Sequence, residues 1–577
     1  MIAQVVFDLP IDGPFDYLIP EHLAPQVRIG TRVKVSLGAR VQIGYVIRLL
    51  NTSDIPKLKP IQSSHPSILF NSLDLNFAHG FSAYYGCSLG EALSTMLRNK
   101  EGYKLSVRRE QKPQHSLHRC QPQHYAAKIQ EIINSYTKSE ETSFLILVPD
   151  AFRGTMLNQQ FKGVGTIKIG MRSSVFESDG RFDCVVMVDD EDASYKQEQT
   201  PMYETRQVLL MRSSLYGFDT AFVGISPSVE LMCLVRGHQV KWAEETLVTP
   251  SARPVDLTNY KYIPGLISPP VRDAVQAALK LERKSLLVLN RRGSYRLTRC
   301  VECSEILKCK DCDSSLMYSR TEGKFLCRYC TYTAPGDTVC PKCHKPSWKS
   351  VGIGVEQVQT ELKKLFPQAK VLNYSGSFAR SEAKEKSLND FDILISTQAV
   401  LRFQGRWQAS VVAFIDFDAE LNRLDMRSAF KAFSLGLHIS SMALETVFIQ
   451  TRNRDHYVLR SLASGKAEIF YDEELKLRKE CGFTPFKHWV KMTWRGKLEK
   501  STRQAALDVY NALSQSLPEK YALTPPLADA VGRKRGQFRF NLMMQTNEIP
   551  QAMAFIKSTL TKIKRPSRVI MTFDVDP

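Results

Sequence analysis

The sequence predicts a multidomain α/β protein. Two lobes are each built on a parallel sheet, the second lobe is interrupted by a cysteine-rich insertion, a small β-rich domain precedes them and an α+β unit follows. Three observations carry this. Near-continuous apolar runs alternate with helical segments, the pattern of strands buried on both faces of a parallel sheet. Those runs fall into two sets. Eight of the thirteen cysteines lie within residues 300–343 as four Cys-x-x-Cys pairs, inside the second set. A chain of 577 residues has room for about three to five domains at roughly 100–200 residues each.

The elements follow in order. Ala3-Gln4-Val5-Val6-Phe7, Thr31-Arg32-Val33-Lys34-Val35 and Gln42-Ile43-Gly44-Tyr45-Val46-Ile47 alternate apolar and polar residues between turns, so residues 1–50 read as a small β domain. Residues 74–98 are helical in pattern. Residues 99–124 are basic and poor in apolar side chains, with Arg108-Arg109 and Lys112-Pro113, and read as a linker or surface arm. A helix at 126–133 then precedes the strand Phe144–Val148, and further strands follow at 166–169, 183–188 and 220–224. The second set opens at Ser285–Leu289 and resumes after the cysteines at 369–372, 392–395, 411–415 and 446–449. A charged helix at 471–481, a helix at 502–515 and strands near 538–545 and 568–573 complete the chain.

The pairs Cys300/Cys303, Cys309/Cys312, Cys327/Cys330 and Cys340/Cys343 each turn two thiolates to one side of a tight turn. Four such pairs supply two closed four-cysteine zinc sites, which are structural because no coordination position stays open. A disulfide framework belongs instead to short secreted chains. Cys87, Cys120, Cys184, Cys233 and Cys481 are scattered singly, and together with zinc thiolates they fit a reducing cytoplasm. Lys and Arg number 78 against 59 Asp and Glu, a formal net charge of +19, with a pI near 9.3. That excess favours a polyanionic partner, nucleic acid before membrane. No apolar stretch approaches the ~18 residues a membrane helix needs, and the N-terminus, with Asp8, lacks the apolar core of a signal peptide.

Specific strings sharpen the picture. Asp189-Asp190-Glu191-Asp192-Ala193-Ser194-Tyr195-Lys196-Gln197 resembles the Walker B region of the PriA (primosomal protein N′) replication-restart helicases. Phe15-Asp16-Tyr17-Leu18-Ile19-Pro20, Asn290-Arg291-Arg292-Gly293, Val351-Gly352-Ile353-Gly354-Val355-Glu356-Gln357 and the terminal Asp574-Val575-Asp576-Pro577 also resemble that family, in order along nearly the whole chain. The resemblance implies an N-terminal domain over 1–98 that binds DNA 3′ ends, a basic linker over 99–124, and a degenerate RecA-like lobe over 125–245. A second RecA-like lobe spans 246–470 with a two-zinc insertion at 300–345, and a C-terminal DNA-binding domain spans 471–577. It also implies nested zinc pairing: Cys300, Cys303, Cys340 and Cys343 around one ion, Cys309, Cys312, Cys327 and Cys330 around the other. Spacing alone equally allows consecutive pairing.

Departures from the family are as informative. A nucleotide-driven motor needs a Gly-x-x-x-x-Gly-Lys-Thr/Ser loop to cradle phosphates, and the chain contains none. The family pattern places it between the helix at 125–134 and the strand at 144–148, where this chain reads Asn134 to Ser143 without a glycine. The family's Asp-Glu-Glu-His has become Asp189-Asp190-Glu191-Asp192. Asp189 keeps the magnesium position, Asp190 is a methylene too short to aim water, and Asp192 replaces a histidine linking the ATP site to the DNA path. The Gln-x-x-Gly-Arg-x-Gly-Arg string that carries an arginine finger is absent, where the chain reads Phe433 to Ser440. Ser396-Thr397-Gln398 survives, but Val400-Leu401-Arg402 replaces the Lys-Gly that follows it.

The expected protein is therefore a replication-restart platform that binds two Zn2+ but not ATP/Mg2+. Forked and single-stranded DNA are its ligands. Other primosome or restart proteins, a replicative helicase loader and single-stranded DNA-binding protein are its implied partners, in the cytoplasm at the nucleoid. The competing readings are a working ATP-dependent 3′→5′ helicase and a zinc-ribbon adaptor for another protein. The resemblance maps 3′-end recognition onto Phe15, Asp16, Gly38 and Lys59. Phe15 can stack on a terminal base, Asp16 can accept from a 3′-hydroxyl, Gly38 lets backbone approach and Lys59 meets phosphate. Arg533, Lys534, Arg535 and Arg539, flanked by Phe538 and Phe540, form a second basic patch. His438 and His456 lack metal spacing and read as structural. Asp416 and Asp418 read as scaffold.

Overall fold

A computed structural model of the chain describes residues 1–97, 105–110, 112–136, 142–161, 167–177, 181–246, 250–260, 265–289, 297–303, 305–310, 316–319, 323–327, 332–351, 354–374, 390–422, 425–534, 536–563, 566 and 568–577. The first domain is a six-stranded sheet of β1 (Ile2–Phe7), β2 (Phe15–Leu18), β3 (Thr31–Leu37), β4 (Arg40–Leu50), β5 (Lys59–Pro60) and β6 (Ser63–Ile68), ordered β5-β2-β1-β4-β3-β6. Its alternating residues do what alternation requires: Ala3, Val5, Val33, Val35 and Val46 face a common buried core. Helices α1 (Ser72–Tyr85) and α2 (Leu89–Leu97) follow. Asn71 and Asp74 close the start of α1 as a reciprocal capping box, and Gly86, at φ +71°, ends it in the left-handed conformation.

The first lobe comprises β7 (His115–Cys120), α3 (Tyr125–Tyr136), β8 (Phe144–Leu147), α4 (Ala151–Gln160), β9 (Ile167–Gly170), β10 (Cys184–Val188), α5 (Thr205–Tyr216), β11 (Asp219–Gly224), α6 (Val229–Arg236) and β12 (Lys241–Thr246). All its strand pairings are parallel, in the order β12-β7-β11-β10-β8-β9. β7 and the residues around it correct the expected linker. His115–Cys120 is an inner strand, and Arg109 is bound to the lobe through Asp183 at 2.8 Å and the Tyr216 carbonyl at 2.9 Å. The sequence hid this strand because it carries a buried arginine: Arg119 lies inside the sheet and its Nε donates to the Ile225 carbonyl at 2.9 Å.

The second lobe uses β13 (Ala252–Asp256), α7 (Pro269–Lys280) and β14 (Ser285–Val288) before the cysteine module. The module carries β15 (Leu297–Cys300), β16 (Met317–Ser319), β17 (Lys324–Leu326), β18 (Thr333–Pro335) and β19 (Trp348–Val351). The lobe then continues through α8 (Val355–Leu365), β20 (Val371–Tyr374), β21 (Ile393–Ser396), β22 (Ala409–Phe414), α9 (Asp418–Leu421), α10 (Ser428–Ser440) and β23 (Ala443–Thr451). Its sheet is again parallel, ordered β13-β23-β22-β14-β21-β20. Within the module β15 pairs antiparallel with β19, Leu297 opposite Val351 and Cys300 opposite Trp348.

Helices α11 (Tyr457–Ser464) and α12 (Ala467–Glu480) follow, and α12 crosses the expected 470/471 boundary. It belongs with the lobes: Tyr471 Oη donates to the Pro227 carbonyl at 2.6 Å, and Arg478 pairs with Glu230 at 3.3 Å. The terminal domain proper holds β24 (His488–Gly496), α13 (Glu499–Gln515), β25 (Ala522–Leu523), β26 (Leu527–Lys534), β27 (Gln537–Thr546), α14 (Ile549–Leu560) and β28 (Ile570–Val575), with β24 and β27 central in an antiparallel sheet. One continuous apolar cluster runs from α1 and α2 through both lobes into this last sheet. Among the described residues no helix is long and apolar enough to cross a membrane.

Candidate functional site

At the N-terminal sheet, the expected 3′-end residues gather at the β2/β5 edge. Asp16 lies directly across from Gln4, whose Nε2 donates to Oδ1 at 3.1 Å, and Ser53 Oγ donates to Oδ2 at 2.5 Å. Phe15 is half-buried, its ring centroid 5.7 Å from that of Phe7. Lys59 sits beside Tyr17 in β5 and donates to the Gly38 carbonyl at 2.8 Å. Gly38, at φ +62° in the β3–β4 turn, has nothing within 4 Å of the place a Cβ would occupy, so the turn is open to an approaching ligand. Sequence reading did not find Gln4 and Ser53; the cross-strand register and the loop after β4 bring them to Asp16.

In the first lobe, a motor's phosphate loop lies where an inner strand turns into a helix, at the carboxyl ends of the strands beside the Walker B acids. Here that place is the β7–α3 turn, not the expected interval 134–143, of which residues 137–141 lie outside the described residues. The turn reads Gln121-Pro122-Gln123-His124-Tyr125 and contains no glycine. Pro122 has no N–H and opens a 3-10 turn. The buried Tyr125 ring then reaches across the strand ends, and its hydroxyl donates to Asp189 Oδ1 at 2.5 Å. On the other side of the turn, Gly405 of the second lobe, at φ +79°, packs against Pro122 and Gln123; a Cβ there would lie 3.2 Å from the Gln123 nitrogen.

Each acid of the 189–192 string has protein partners. Asp189, at φ +49°, also faces Arg153 at 3.3 Å. Asp190 is buried; Arg206 Nη1 and Ser228 Oγ donate to its Oδ2 at 2.8 and 2.5 Å, and Ser228 Oγ also caps α6 by accepting from Leu231 N. Asp190 stands where the family's glutamate would position water, and here it is a packed ion-pair member. Burial pushes its carboxyl up, against Arg206 and Ser228, which lower it. Asp192 caps a short turn by accepting from Ser194 N at 2.9 Å. Glu191 receives Ser226 Oγ at 2.7 Å and contacts His438 Nε2 at 2.9 Å. Burial, with Asp189 and Asp190 nearby, raises Glu191 to about 7 against the lowering effect of His438. His438, expected to be only structural, is therefore an inter-lobe residue. A lone histidine in an apolar helix gave no sign of a partner 247 positions away. Arg406 lies over the Phe152 ring at 4.3 Å, and Ser226 and Ser434 meet at 2.8 Å, so the lobes also touch at these two places.

In the cysteine module, Cys300, Cys303, Cys340 and Cys343 converge, with all four Sγ atoms within 4.8 Å of one another. Cys300 Sγ is 3.5 Å from Cys343 Sγ, and Cys303 Sγ is 3.5 Å from Cys340 Sγ. Four sulfurs at about 2.3 Å from a tetrahedral zinc stand roughly 3.8 Å apart, so the donor set fits. The outer pairs come together rather than pairing consecutively because β15 and β19 are antiparallel neighbours. Cys309 and Cys327 belong to the small core with Leu307, Leu316 and Phe325; Cys312 and Cys330 lie outside the described residues, as do residues 290–296 and 352–353.

In the last domain Arg539 lies across the sheet from Arg495. Phe540 is buried and so is a core residue rather than a base contact, while Gly536, at φ +72°, turns β26 into β27. Arg535 and the side chains of Arg533 and Lys534 lie outside the described residues. The terminal Asp574 pairs with Lys196 at 2.8 Å and Asp576 with His488 at 2.7 Å.

Residues 4–98 match the family model described as PriA 3'DNA-binding domain (3'BD). The replication restart protein PriA of Treponema pallidum (strain Nichols) is 24% identical over 650 residues, covering 100% of this chain and 99% of that protein. The PriA of Rickettsia conorii is 24% identical, with the same coverage of both chains. The PriA of Borreliella burgdorferi is 25% identical over 442 residues, covering 74% and 67%. The chain is thus similar over its whole length to the replication restart proteins PriA, and its residues 4–98 match the 3′ DNA-binding domain of that family, ahead of two parallel α/β lobes and a four-cysteine cluster in the second.

Proposed function

We propose that this chain is a replication-restart platform that recognises stalled or branched forks and nucleates primosome assembly, binding DNA without hydrolysing ATP or unwinding duplex. The observation that supports this most directly is the β7–α3 turn. Its residues 121–125 include no glycine, one of them is a proline, and Tyr125 holds Asp189 at 2.5 Å. Backbone N–H groups can converge on phosphates only where glycines allow the tight left-handed turns of such a loop. Here Asp189, in the position that would hold magnesium, instead accepts a hydrogen bond from a tyrosine. Without an arginine finger, a further ~10³–10⁵ in turnover is forgone.

DNA recognition on this reading begins at the N-terminal sheet. Phe15 stacks on the terminal base, Asp16 accepts from the 3′-hydroxyl, and Lys59 with the Gly38 turn meets the phosphate. Arg533, Lys534, Arg535 and Arg539 extend the contact. Cys300, Cys303, Cys340 and Cys343 hold one zinc and Cys309, Cys312, Cys327 and Cys330 a second; the ions supply rigid closure of a module with little core of its own. Other restart proteins, the helicase loader and single-stranded DNA-binding protein are the partners this reading calls for.

The test is ATP hydrolysis with and without forked DNA, measured beside fork binding on the same preparation. Fork binding with turnover at background is expected. DNA-stimulated turnover near ~1 s⁻¹, within ordinary enzyme rates, that disappears in Asp189→Asn/Asp190→Asn would establish the working-helicase reading instead.

A further inference from the structure

The inter-lobe contact between Glu191 and His438 has the geometry of a metal ligand pair. The Gln404 amide nitrogen donates to the His438 carbonyl and to Ser441 Oγ, both at 2.9 Å. Those two bonds fix the amide, so its oxygen is the atom 3.0 Å from His438 Nδ1. Nδ1 therefore carries a proton and donates it, and Nε2 points at Glu191. Histidine ligands are oriented in this way, by a fixed acceptor on the opposite ring nitrogen.

Two further features point to a cation. Glu191 Oε2 is buried and has no hydrogen-bond partner among the described residues, with the side chain only 5% exposed. Ligand atoms of Asp189, Glu191 and His438 all lie within 4.8 Å of one another. The local charge is also unbalanced. Among the described residues a single cation, Arg153, faces Asp150, Asp189 and Asp192, at 3.6, 3.3 and 3.6 Å. A proton between Glu191 and His438 satisfies one contact, whereas a divalent ion satisfies three donors from both lobes.

We infer that Asp189, Glu191 and His438 form a nucleotide-independent site for a divalent first-row transition ion, Mn2+ or Zn2+, that joins the two lobes. Two carboxylates and one imidazole suit these ions. Mg2+ prefers an all-oxygen shell that keeps its waters, and thiolate-rich sites discriminate against Mn2+. The site stands apart from the proposed loss of ATP hydrolysis, since it requires no phosphate.

The test uses the full-length chain with its cysteine-bound metal left in place, titrated with Mn2+ in the absence of nucleotide and followed by electron paramagnetic resonance. One bound Mn2+ with nitrogen coupling from a single imidazole is expected. His438→Ala should abolish that coupling and weaken binding at least ~10-fold, and Gln404→Leu should weaken it by roughly 10–100-fold through loss of ring orientation. If His438→Ala does not fold, the imidazole coupling in the unaltered protein and its displacement by Zn2+ still decide the matter. Absence of a bound ion, bound Mn2+ without nitrogen coupling, coupling that survives His438→Ala, or binding that appears only with ATP each overturns the inference.

Discussion

Tyr125 and Asp189 stand 64 positions apart and share a 2.5 Å hydrogen bond in a buried setting. A carboxylate that would otherwise face magnesium is thereby matched to a neutral donor. Removing the hydroxyl leaves a buried acceptor without this donor, which costs about 1–3 kcal/mol. Tyr125→Phe is expected to lower stability by that amount in chemical unfolding without creating ATP hydrolysis; an unchanged unfolding midpoint would show that the bond contributes nothing. The sequence made Asp189 legible through its string. Tyr125 was not, because an aromatic at the start of an amphipathic helix has the pattern of a core residue, and only the fold aims its hydroxyl at the strand ends.

Among elements, the cysteine module depends most on something other than burial. Its strands β15 to β19 are three or four residues long, and among the described residues its own core is little more than Leu307, Cys309, Leu316, Phe325 and Ala334. So small a core would not stabilise a fold unaided, and on the reading proposed above metal closure would supply the difference. The protein is expected to carry two zinc ions, and Cys343→Ala to carry one, by elemental analysis; a count of two in the variant would exclude Cys343 as a ligand. The β7–α3 unit teaches the complementary lesson. β7 went unrecognised because His115-Ser116-Leu117-His118-Arg119-Cys120 has no apolar run, so the glycine-free turn that follows it was sought in the wrong loop. The absence of the phosphate-loop string was readable; its place was not.

At the scale of the whole molecule, Glu230 of the first lobe ties that lobe to Arg427 of the second and to Arg478 of α12. Burial pushes its carboxyl up, but Arg427, Arg206 and Arg478 outweigh that and hold it at about 2, below the ordinary 4.5. A depressed carboxylate adds stability that is fully present above about 4.5 and is lost as the pH falls through about 2, up to roughly 3 kcal/mol. The thermal midpoint of the lobes should therefore fall on acidification from about pH 5 to about pH 3, and Glu230→Gln should flatten that fall; an equal slope in both proteins would assign the acid sensitivity elsewhere. The net charge of +19 acts at the same scale. DNA affinity should decline with salt at a log–log slope of about −0.7 to −0.9 per phosphate neutralised. Phe15→Ala/Asp16→Ala should remove the preference for a free 3′ end while leaving that slope nearly unchanged. Equal loss on every substrate would argue against 3′-end recognition.

Composition and local pattern alone determined the positive charge, the two sets of parallel strands, the β-rich start and the four cysteine pairs, because each is written in neighbouring residues. Which cysteines meet was decided by the antiparallel pairing of β15 with β19. Tertiary structure also decided that Asp190 is a buried partner of Arg206 and Ser228, that Gly405 closes on Pro122, and that His438 reaches Glu191. Those contacts join residues from 16 positions apart, Asp190 and Arg206, to 283 apart, Pro122 and Gly405. No short-range periodicity encodes them: the Asp190 contacts exist only once the first lobe's strands and helices have packed, and those of Gly405 and His438 only where the two lobes meet.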